Sequence, residues 1–293
     1  MKNRKLLGHV FALLSVILWG TSFIVSKNLM ETVSPVQLMW LRFVIAYIAL
    51  WILHPRWYFN TKDELMFLLI SLFANTLYFL TENTALKLTQ TSNVSILVTT
   101  APIFAAVILR LFGKSERITG RQLLGFAVAF AGVILVVFNG VINLRLSPKG
   151  DLLALAAAFS WAVYGTLVRR SSEKFNSFLI TRKLMFYGII TSFPILISEN
   201  AQFEFSAIFS TANILSLLYL GVICSAICYM MWNSAIKQIG VLKTNIYMYA
   251  VPMVTLIAGA VFLNETVTLL GVAGIVLVII GMALSNLKEA KKE

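Results

Sequence analysis

Two polar stretches stand out in a chain that is otherwise strongly apolar. The first, Tyr78–Pro102, contains Glu82, the one acid that lies clearly inside an apolar block. The second, Cys228–Pro252, repeats part of this pattern 150 positions later. A carboxyl group in an apolar block can bind a cationic group or exchange a proton. The alternative is a structural role, as a salt bridge to Lys87 or as a solvated helix end.

Further polar and aromatic side chains recur at helical spacing. With about 100° per residue, they form stripes along six predicted helices. Because lipid offers no hydrogen bonds, such stripes face either a neighbouring helix or a water-filled cavity. Contacts between helices would explain any single Ser, Thr or Asn. The predicted cavity residues are Trp19, Ser22, Asn75, Tyr78, Glu82, Ser95, Thr99, Trp161, Tyr164, Ser225, Tyr229, Trp232, Asn245 and Tyr249.

Trp19 and Trp161 are expected near the middle of their helices. They could stack a substrate, gate a passage or fill the core. Pro102 and Pro252 each remove a backbone hydrogen bond, so both are predicted to kink their helices.

Other chemistries find little support. His9 and His54 stand alone, so no zinc site is expected. Cys224 and Cys228 stack on one helix face; a disulfide, a redox pair and a metal site are open in principle, but small buried residues are favoured. No Gly-x4-Gly-Lys-Ser/Thr motif is present, so ATP hydrolysis is not expected. We predict no cofactor, no metal and no enzymatic activity.

The elements that position these residues are predicted to cross a membrane. Of the 293 residues 59% are hydrophobic, the mean hydropathy is +0.86, and the apolar blocks reach the length of about twenty residues that spans a bilayer. The first block is expected to be a span and not a cleaved signal peptide. We predict ten spans: Val10–Ser26, Val36–Leu53, Leu65–Ala85, Ser92–Leu109, Gln122–Phe138, Asp151–Val168, Phe178–Ile197, Ile214–Ile236, Thr244–Leu263 and Leu269–Leu287.

The net charge of +12 would suit nucleic acid, but Lys and Arg cluster in the short links between spans. We therefore expect a lipid bilayer and no nucleic acid as partner. Nineteen of the 24 basic residues fall on one predicted side, which predicts cytoplasmic termini in a cell membrane. Arg42 is counted among the five on the other side. Arg182 and Lys183, in the first turns of span 7, are expected to snorkel to the surface.

The two halves of the sequence resemble each other. At an offset of 142, Trp19 matches Trp161; at 150, Pro102 matches Pro252. Each copy holds five spans, an odd number, so the second copy is predicted to be inverted relative to the first. The fold class is an all-α integral membrane protein with ten transmembrane helices in two inverted five-helix repeats. The predicted units are residues 1–140, residues 150–287 and a basic cytoplasmic tail, 288–293.

Inverted repeats around a central site are a recurring plan of transporters. Spans 1, 3, 4, 6, 8 and 9 are placed around the cavity, and spans 5 and 10 at the periphery. Thr119 and Gln122 have the spacing of a capping box. Glu116 and Glu265 are expected to be structural. The glycines expected to let helices approach closely, with a dimer contact as the alternative, are Gly125, Gly132, Gly274 and Gly281.

The ordered landmarks resemble the EamA-type transporters of the drug/metabolite transporter superfamily. The matching stretches are Trp19-Gly20-Thr21-Ser22-Phe23, Leu41-Arg42-Phe43, Asn83-Thr84-Ala85-Leu86-Lys87, Thr100-Ala101-Pro102-Ile103-Phe104, Gly113-Lys114-Ser115-Glu116, Ala235-Ile236, Pro252 and Leu263-Asn264-Glu265. The resemblance covers nearly the whole chain and implies ten helices, cytoplasmic termini and export or exchange of small metabolites, amino acids among them.

The expected function is therefore a secondary transporter of a small-molecule substrate, with proton or ion coupling as a hypothesis. A drug or nucleotide-sugar transporter on the same fold is the alternative. An intramembrane enzyme would need a clustered nucleophile, base or metal set, and a membrane scaffold would not need six polar-lined helices. A monomer and a homodimer both stay open.

Overall fold

The computed structural model of the chain describes residues 2–89, 91–112, 118–139, 147–199, 208, 210–263 and 266–286. Within these ranges all regular elements are helical, and ten segments are long and apolar enough to cross a membrane. The predicted all-α fold with ten spans is confirmed. Glu116, Glu265, the boundary at residue 140 and the tail 288–293 lie outside the described residues.

Six of the ten spans in the described ranges are single α-helices. They are Lys2–Leu29 (span 1), Pro35–Leu53 (span 2), Gly120–Phe138 (span 5), Pro148–Lys174 (span 6), Ser177–Ser198 (span 7) and Leu269–Asn286 (span 10). Several run further than predicted, because hydropathy marks only the apolar part of a helix whose polar ends continue into the interface. Span 6 extends past the predicted Asp151–Val168 at both ends in this way.

The other four spans change helix type or are interrupted. Span 3 joins α-helices Thr61–Ser71 and Tyr78–Leu88 through the π-helical segment Leu72–Leu77. Span 4 joins Thr91–Val98 to Ala101–Phe112. Span 8 joins Thr211–Leu218 and Cys228–Ile239 through the π-helical segment Tyr219–Ile227, and span 9 joins Val241–Asn245 and Ala250–Leu263 through the 3-10 segment Ile246–Tyr249.

These changes fall at matching places in the two halves. Residues 72–77 correspond to residues 222–227 at the offset of 150, so the π-helical segments of spans 3 and 8 are equivalent. Pro102 and Pro252 each lie in the first turn of the α-helix that follows a break in regular α geometry. Pro is tolerated there because the first turn of a helix has no intrahelical partner for its N–H groups.

Span 5 begins with the predicted capping box. The N–H of Gln122 donates to Oγ1 of Thr119 at 3.2 Å, and the N–H of Thr119 donates to Oε1 of Gln122 at 3.0 Å. Each side chain thereby satisfies one backbone donor that the helix leaves free.

Contacts near the ends of spans 3 and 6 define the two ends of the bundle. At the end where span 1 starts, here called the N-terminal end, Lys174 pairs with Asp63 at 2.7 Å. At the opposite end, Oγ1 of Thr89 donates to Asp151 at 3.0 Å. Span 6 therefore starts at the end opposite to the one where span 1 starts.

Spans 5 and 10 cross at their glycines. A Cβ on Gly125 would lie 2.7 Å from the carbonyl oxygen of Gly281, and one on Gly132 would lie 2.7 Å from that of Gly274. These glycines allow the close helix approach predicted for them, and the approach is between two helices of the same chain. Leu123 and Ile279, on the outer faces of the two helices, are more than half exposed.

Contacts recur as pairs related by exchange of the halves. Gly8 packs within 2.9 Å of Ile239, and Gly150 packs within 2.9 Å of Thr89, each distance taken from an added Cβ. At the sequence offsets of 142 and 150, Gly8 corresponds to Gly150 and Thr89 to Ile239. Exchange of the halves likewise converts the pair Gly125–Gly281 into the pair Gly132–Gly274. The inverted arrangement of the halves stays a prediction, which these reciprocal contacts support.

Arg182 and Lys183 do not snorkel as predicted. Both are buried, and each has partners from other spans or links. Nζ of Lys183 lies 2.6 Å from Oε1 of the buried Glu64, and Nη1 of Arg182 donates to the carbonyl of His54 at 2.7 Å. The prediction was wrong because it considered the long side chains alone, whereas acceptors from the link after span 2 and from span 3 contact them inside the protein.

Candidate functional site

Six aromatic side chains from spans 1, 3, 6 and 8 meet inside the bundle. Trp161 lies among them, with ring-centroid distances of 5.5 Å to Trp19, 5.2 Å to Tyr78 and 4.9 Å to Tyr164. The rings of Trp19 and Trp161, which match in the two halves, pack edge to face, as aromatic pairs favour. We call the following set the central aromatic cluster: Trp19, Tyr78, Trp161, Tyr164, Tyr229 and Trp232.

The π-helical segments of spans 3 and 8 hold neighbouring spans in place. Oγ of Ser160 donates to the carbonyl of Phe73 at 2.8 Å, and Nε1 of Trp19 donates to the carbonyl of Cys224 at 3.0 Å. A π-helix shifts the hydrogen-bond register, so carbonyl groups become available to side chains. In an apolar medium these carbonyls need such donors. The π-helical segment of span 8 therefore holds the ring of Trp19 directly.

Two buried charged side chains lie beside the cluster. Tyr78 donates its hydroxyl to Oε1 of Glu82 at 3.0 Å. Arg42, on span 2, donates from Nε to Oγ of Ser225 at 3.2 Å, and its guanidinium lies 5.6 Å from the ring centroid of Phe79. Within the described residues no hydrogen bond joins these two charges, and the side chain of Lys87 lies outside the description.

The burial of Arg42 adds to the sequence analysis. The charge count places Arg42 on the outer side and the predicted bounds place it within span 2; in the structure it lies within span 2 and is only 8% exposed. The charge count by itself did not indicate this burial, because a long side chain near the start of a span can also reach water. A cation inside an apolar block, as in Leu41-Arg42-Phe43, is itself a signal for a functional site.

A chain of hydrogen bonds ties the cluster to span 7. Tyr164 donates its hydroxyl to Oδ1 of Asn233 at 2.7 Å, and Nδ2 of Asn233 donates to Oγ1 of Thr181 at 2.9 Å. From span 3, Nδ2 of Asn75 donates to the carbonyl of Leu184 at 2.9 Å. Asn233 was not among the predicted site residues, although it lies 150 positions after Asn83 and therefore occupies the matching place in the repeat.

Local structure accounts for two of the predicted cavity residues, Ser22 and Thr99. Ser22 donates to the carbonyl of Trp19 at 2.7 Å, and Thr99 donates to that of Ile96 at 2.7 Å. Both hydroxyls therefore have acceptors on their own helices. Ser95 lies half-buried on span 4.

Other buried polar groups have no hydrogen-bond partner within the described residues. They include the indole N–H groups of Trp161 and Trp232, the amide of Asn245 and the hydroxyl of Tyr249. Tyr249 packs against span 5, with its ring 6.4 Å from that of Phe130. A buried donor without a partner costs about 1–3 kcal/mol. Similar groups occur on other spans as well, and each such group is an exception to the usual pairing of buried polar atoms.

The site is closed in this conformation. Trp232 and Asn245 have no accessible surface, and Ser225 is 1% exposed. A water-filled cavity would leave its lining accessible to water. The predicted cavity residues on spans 1, 3, 6 and 8 therefore come together as a packed cluster. Trp232 and Ser225 on span 8 and Asn245 on span 9 have no water-sized space beside them.

The histidines and cysteines show no metal-binding arrangement in the described part of the chain. Nδ1 of His9 lies 2.9 Å from the hydroxyl of Tyr247, and Cys224 and Cys228 are buried free thiols. Among the residues described, no group of three or more His, Cys, Asp or Glu side chains could hold a metal ion.

Comparison with known proteins shows similarity over nearly the whole chain. A protein of Archaeoglobus fulgidus named "Uncharacterized transporter" is 28% identical over 287 residues, covering 96% of this chain and 98% of that protein. A protein of Salmonella typhimurium named "Probable amino-acid metabolite efflux pump" is 28% identical over 280 residues, covering 92% of each. A solved crystal structure has the same fold, with a TM-score of 0.81 at 19% identity, covering 96% of this chain and 98% of its own.

The model of the EamA-like transporter family matches the chain twice, over residues 6–138 and 148–287. The family consists of transporters and not of enzymes, in agreement with the expectation from the sequence. With ten apolar helices and two family matches that together cover most of its length, the chain is a multi-pass membrane transporter and belongs to the EamA-like transporter family.

Proposed function

We propose that the chain is a secondary transporter that exports or exchanges small metabolites such as amino acids by alternating access at the central aromatic cluster. The observation that carries the proposal is the placement of one buried cation, Arg42, and one buried acid, Glu82, beside this cluster. An amino acid carries the two complementary charges. Arg42 would bind the carboxylate in the bidentate manner that suits guanidinium, and Glu82 would bind the ammonium group or accept a proton.

The unpartnered polar groups support a ligand at this place. Trp161, Trp232 and Asn245 hold buried donors that lack acceptors in the closed conformation. Substrate or water in another conformation would supply those acceptors and offset the cost of burial. The aromatic rings offer faces and edges against which an apolar or aromatic substrate side chain would pack.

Alternating access finds support in the reciprocal contacts between the halves. The packing of Gly8 on span 8 and of Gly150 on span 3 forms an exchangeable pair. Two conformations that interchange these environments would open the cluster first to one end and then to the other. The closed state described above would lie between them.

The substrate class rests on the charge arrangement and on relatives. The Salmonella typhimurium protein and a protein of Escherichia coli, 26% identical over 282 residues, carry a name that refers to amino-acid metabolite efflux. We extend that class to this chain because a cation and an acid share its buried site.

Counterflow in proteoliposomes tests the function. Vesicles holding the purified protein and one unlabelled solute are mixed with a trace of the same labelled solute, across a panel of amino acids, nucleotide sugars and cationic drugs, with and without a pH gradient. We expect labelled amino acids to accumulate, while protein-free vesicles stay empty. Accumulation of only nucleotide sugars or drugs would favour the alternative substrates, and none with any solute would indicate a scaffold.

For the orientation, we propose cytoplasmic termini in the plasma or inner membrane. Burial of Arg42 removes one of the five basic residues that opposed the predicted bias. Reporter fusions in the links after spans 5 and 7 should report the outer side, and fusions at either terminus the cytoplasm. A cytoplasmic signal from either link would overturn this orientation.

A further inference from the structure

The guanidinium of Arg42 is held at one nitrogen only. Among the described residues its one hydrogen bond runs from Nε to Oγ of Ser225 at 3.2 Å. A guanidinium has five N–H donors, and those on Nη1 and Nη2 make no hydrogen bond within the described part of the chain. These two nitrogens form the planar end that binds a carboxylate through two parallel hydrogen bonds. The contact with Ser225 therefore leaves this end free for a substrate.

Ser225 can serve Arg42 only as an acceptor. A serine hydroxyl has one proton and two lone pairs. Oγ of Ser225 donates its proton to the carbonyl of Leu220 at 2.9 Å, so its lone pairs are left for the N–H of Nε. Because the proton is already bonded and the residue is only 1% exposed, Ser225 has no donor to offer a substrate in this conformation. Any effect of this hydroxyl on a substrate therefore passes through Arg42.

The π-helical segment of span 8 sets the direction of this hydroxyl. Leu220 and Ser225 lie five positions apart, and both belong to the segment. In an α-helix a serine hydroxyl usually bonds the carbonyl three or four positions earlier. The wider turn of a π-helix brings residues five apart over each other. Gly221 lets span 2 approach the same segment closely, because a Cβ there would lie 3.5 Å from the carbonyl oxygen of Arg42.

The matching place in the other half is held without a charge. At the offset of 142, Arg42 corresponds to Leu184, and at the offset of 150, Asn75 corresponds to Ser225. Nδ2 of Asn75 donates to the backbone carbonyl of Leu184 at 2.9 Å, so a neutral hydrogen bond joins these two helices. Packing of the equivalent spans 2 and 8 therefore does not require a guanidinium. A buried cation is costly, and its presence at only one of the two places points to a role in binding.

Phe79 connects the guanidinium with the central aromatic cluster. Cζ of Arg42 lies 5.6 Å from the ring centroid of Phe79, a cation–π contact. The ring of Phe79 packs edge to face against that of Tyr78, which belongs to the cluster, at 5.2 Å. Contacts at Nε and with this ring restrict the rotation of the guanidinium. A group that is already oriented loses less entropy when it binds a ligand.

We propose that Ser225 is a positioning residue that orients the Arg42 guanidinium and thereby sets a preference for substrates that carry a carboxylate. This role rests on the proposed function, in which Arg42 binds the substrate carboxylate. Two parallel hydrogen bonds form only when the planar end of the guanidinium points at the carboxylate. Without the hydroxyl of Ser225, Arg42 keeps its charge but loses its fixed direction. Discrimination between a carboxylate and a neutral group then falls.

The preference is measured by counterflow in proteoliposomes, as the ratio of the half-inhibitory concentrations of a carboxamide and of its parent amino acid. The pairs are phenylalanine, leucine and threonine with their carboxamides, which lack only the carboxylate charge. We expect the wild type to prefer the amino acids. Ser225→Ala should lower that preference about three- to tenfold, the size expected for one hydrogen bond.

Ser172→Ala is the matched control for the loss of a buried hydroxyl. Ser172 is also 1% exposed and donates to a backbone carbonyl, that of Arg169, at 2.8 Å. It lies near the end of span 6, outside the central aromatic cluster. This variant should keep the preference of the wild type.

Two comparisons separate positioning from a structural role. Ser225→Thr keeps a hydroxyl and should retain the preference. In an Arg42→Lys background, Ser225→Ala should change the preference little, because an ammonium is a point charge without a planar end to orient. A structural role would instead lower transport by the same factor in both backgrounds and for both members of each pair. If Ser225→Ala folds poorly, Ser225→Cys repeats the test, since a thiol is a weak acceptor.

The outcomes distinguish this role from the function on which it rests. If the wild type shows no preference for the amino acid in any pair, the proposed function fails, and the role of Ser225 fails with it. If the wild type shows the preference and folded Ser225→Ala and Ser225→Cys keep it, only the positioning role is overturned. Equal losses of preference in Ser225→Ala and Ser172→Ala would also overturn that role.

Discussion

Nε of Arg42 lies 3.2 Å from Oγ of Ser225, a residue 183 positions later in the chain. The hydrogen bond joins span 2 of the first half to the π-helical segment of span 8 in the second. Both residues are less than a tenth exposed. A guanidinium inside a membrane protein is costly unless it serves a site or a partner. This contact holds the cation where the two halves meet, which is where the proposed alternating access would place the substrate.

Arg42→Gln should reduce transport of a zwitterionic substrate by about 10- to 100-fold, because a charge-assisted hydrogen bond to a carboxylate contributes about 1.5–3 kcal/mol. Arg42→Lys should retain part of the activity, since the charge stays but the bidentate geometry is lost. Initial rates of counterflow measure both. Arg110→Gln, an exposed change, is the control. Full activity of folded Arg42→Gln would remove this residue from the binding site.

Glu82→Gln should abolish the response of transport to a pH gradient while leaving the fold intact. The amide keeps an acceptor for the hydroxyl of Tyr78, which now donates to Oε1 at 3.0 Å, but it cannot exchange a proton. Uptake is compared with and without a gradient, and Glu31→Gln, at an exposed position, is the control. An unchanged gradient response in Glu82→Gln would exclude the coupling role and leave the acid as a structural or substrate-binding group.

Gly274→Ala should destabilise the protein by about 1–3 kcal/mol, the usual effect of overpacking. The new Cβ would lie 2.7 Å from the carbonyl oxygen of Gly132 and 2.7 Å from the backbone nitrogen of Val136. Because both are backbone atoms, no side-chain rotation can relieve the clash. Thermal unfolding in detergent measures the effect. Gly120→Ala is the matched control, because nothing lies within 4 Å of its Cβ. Equal unfolding temperatures for the two variants would show that the helices do not cross at this point.

Lys183→Met should destabilise the protein by about 3–5 kcal/mol, because it leaves the buried Glu64 without its counter-ion. The double variant Lys183→Met with Glu64→Leu should recover much of that loss, since no buried charge remains. Lys174→Met is the comparison: its pair with Asp63 is 61% exposed on the lysine side and should contribute about 0–1 kcal/mol. Unfolding temperatures of the four proteins test this, and equal losses from both lysine changes would contradict it.

Much of the architecture follows from patterns that act over one or two helix turns. Hydropathy located ten spans, and the capping box at Thr119 formed as its spacing predicted. Gly125 and Gly132 marked the surface where span 5 approaches another helix closely. These features depend on a residue and its near neighbours, so an isolated sequence holds the information needed to predict them.

Pairing between distant spans could not be predicted in the same way. Lys183 meets Glu64 across 119 positions, and Trp19 meets Trp232 at a ring distance of 5.2 Å. Helical periodicity gives the face on which a side chain lies, but several neighbours could cover that face. The π-helical segments change this face by altering the residues per turn, and hydropathy carries no signal for them.

Hydropathy, the repeat and the resemblance to a family indicated a ten-span membrane transporter built from two similar halves, because these follow from the order of residues without knowledge of which helices touch. The sequence also marked most residues of the central aromatic cluster. Only the tertiary structure decided that Arg42 is buried against Ser225 of span 8, and that the cluster is closed. Whether a cation near the start of a helix reaches water or a buried partner depends on which helix packs over it, and that is settled by packing between the halves.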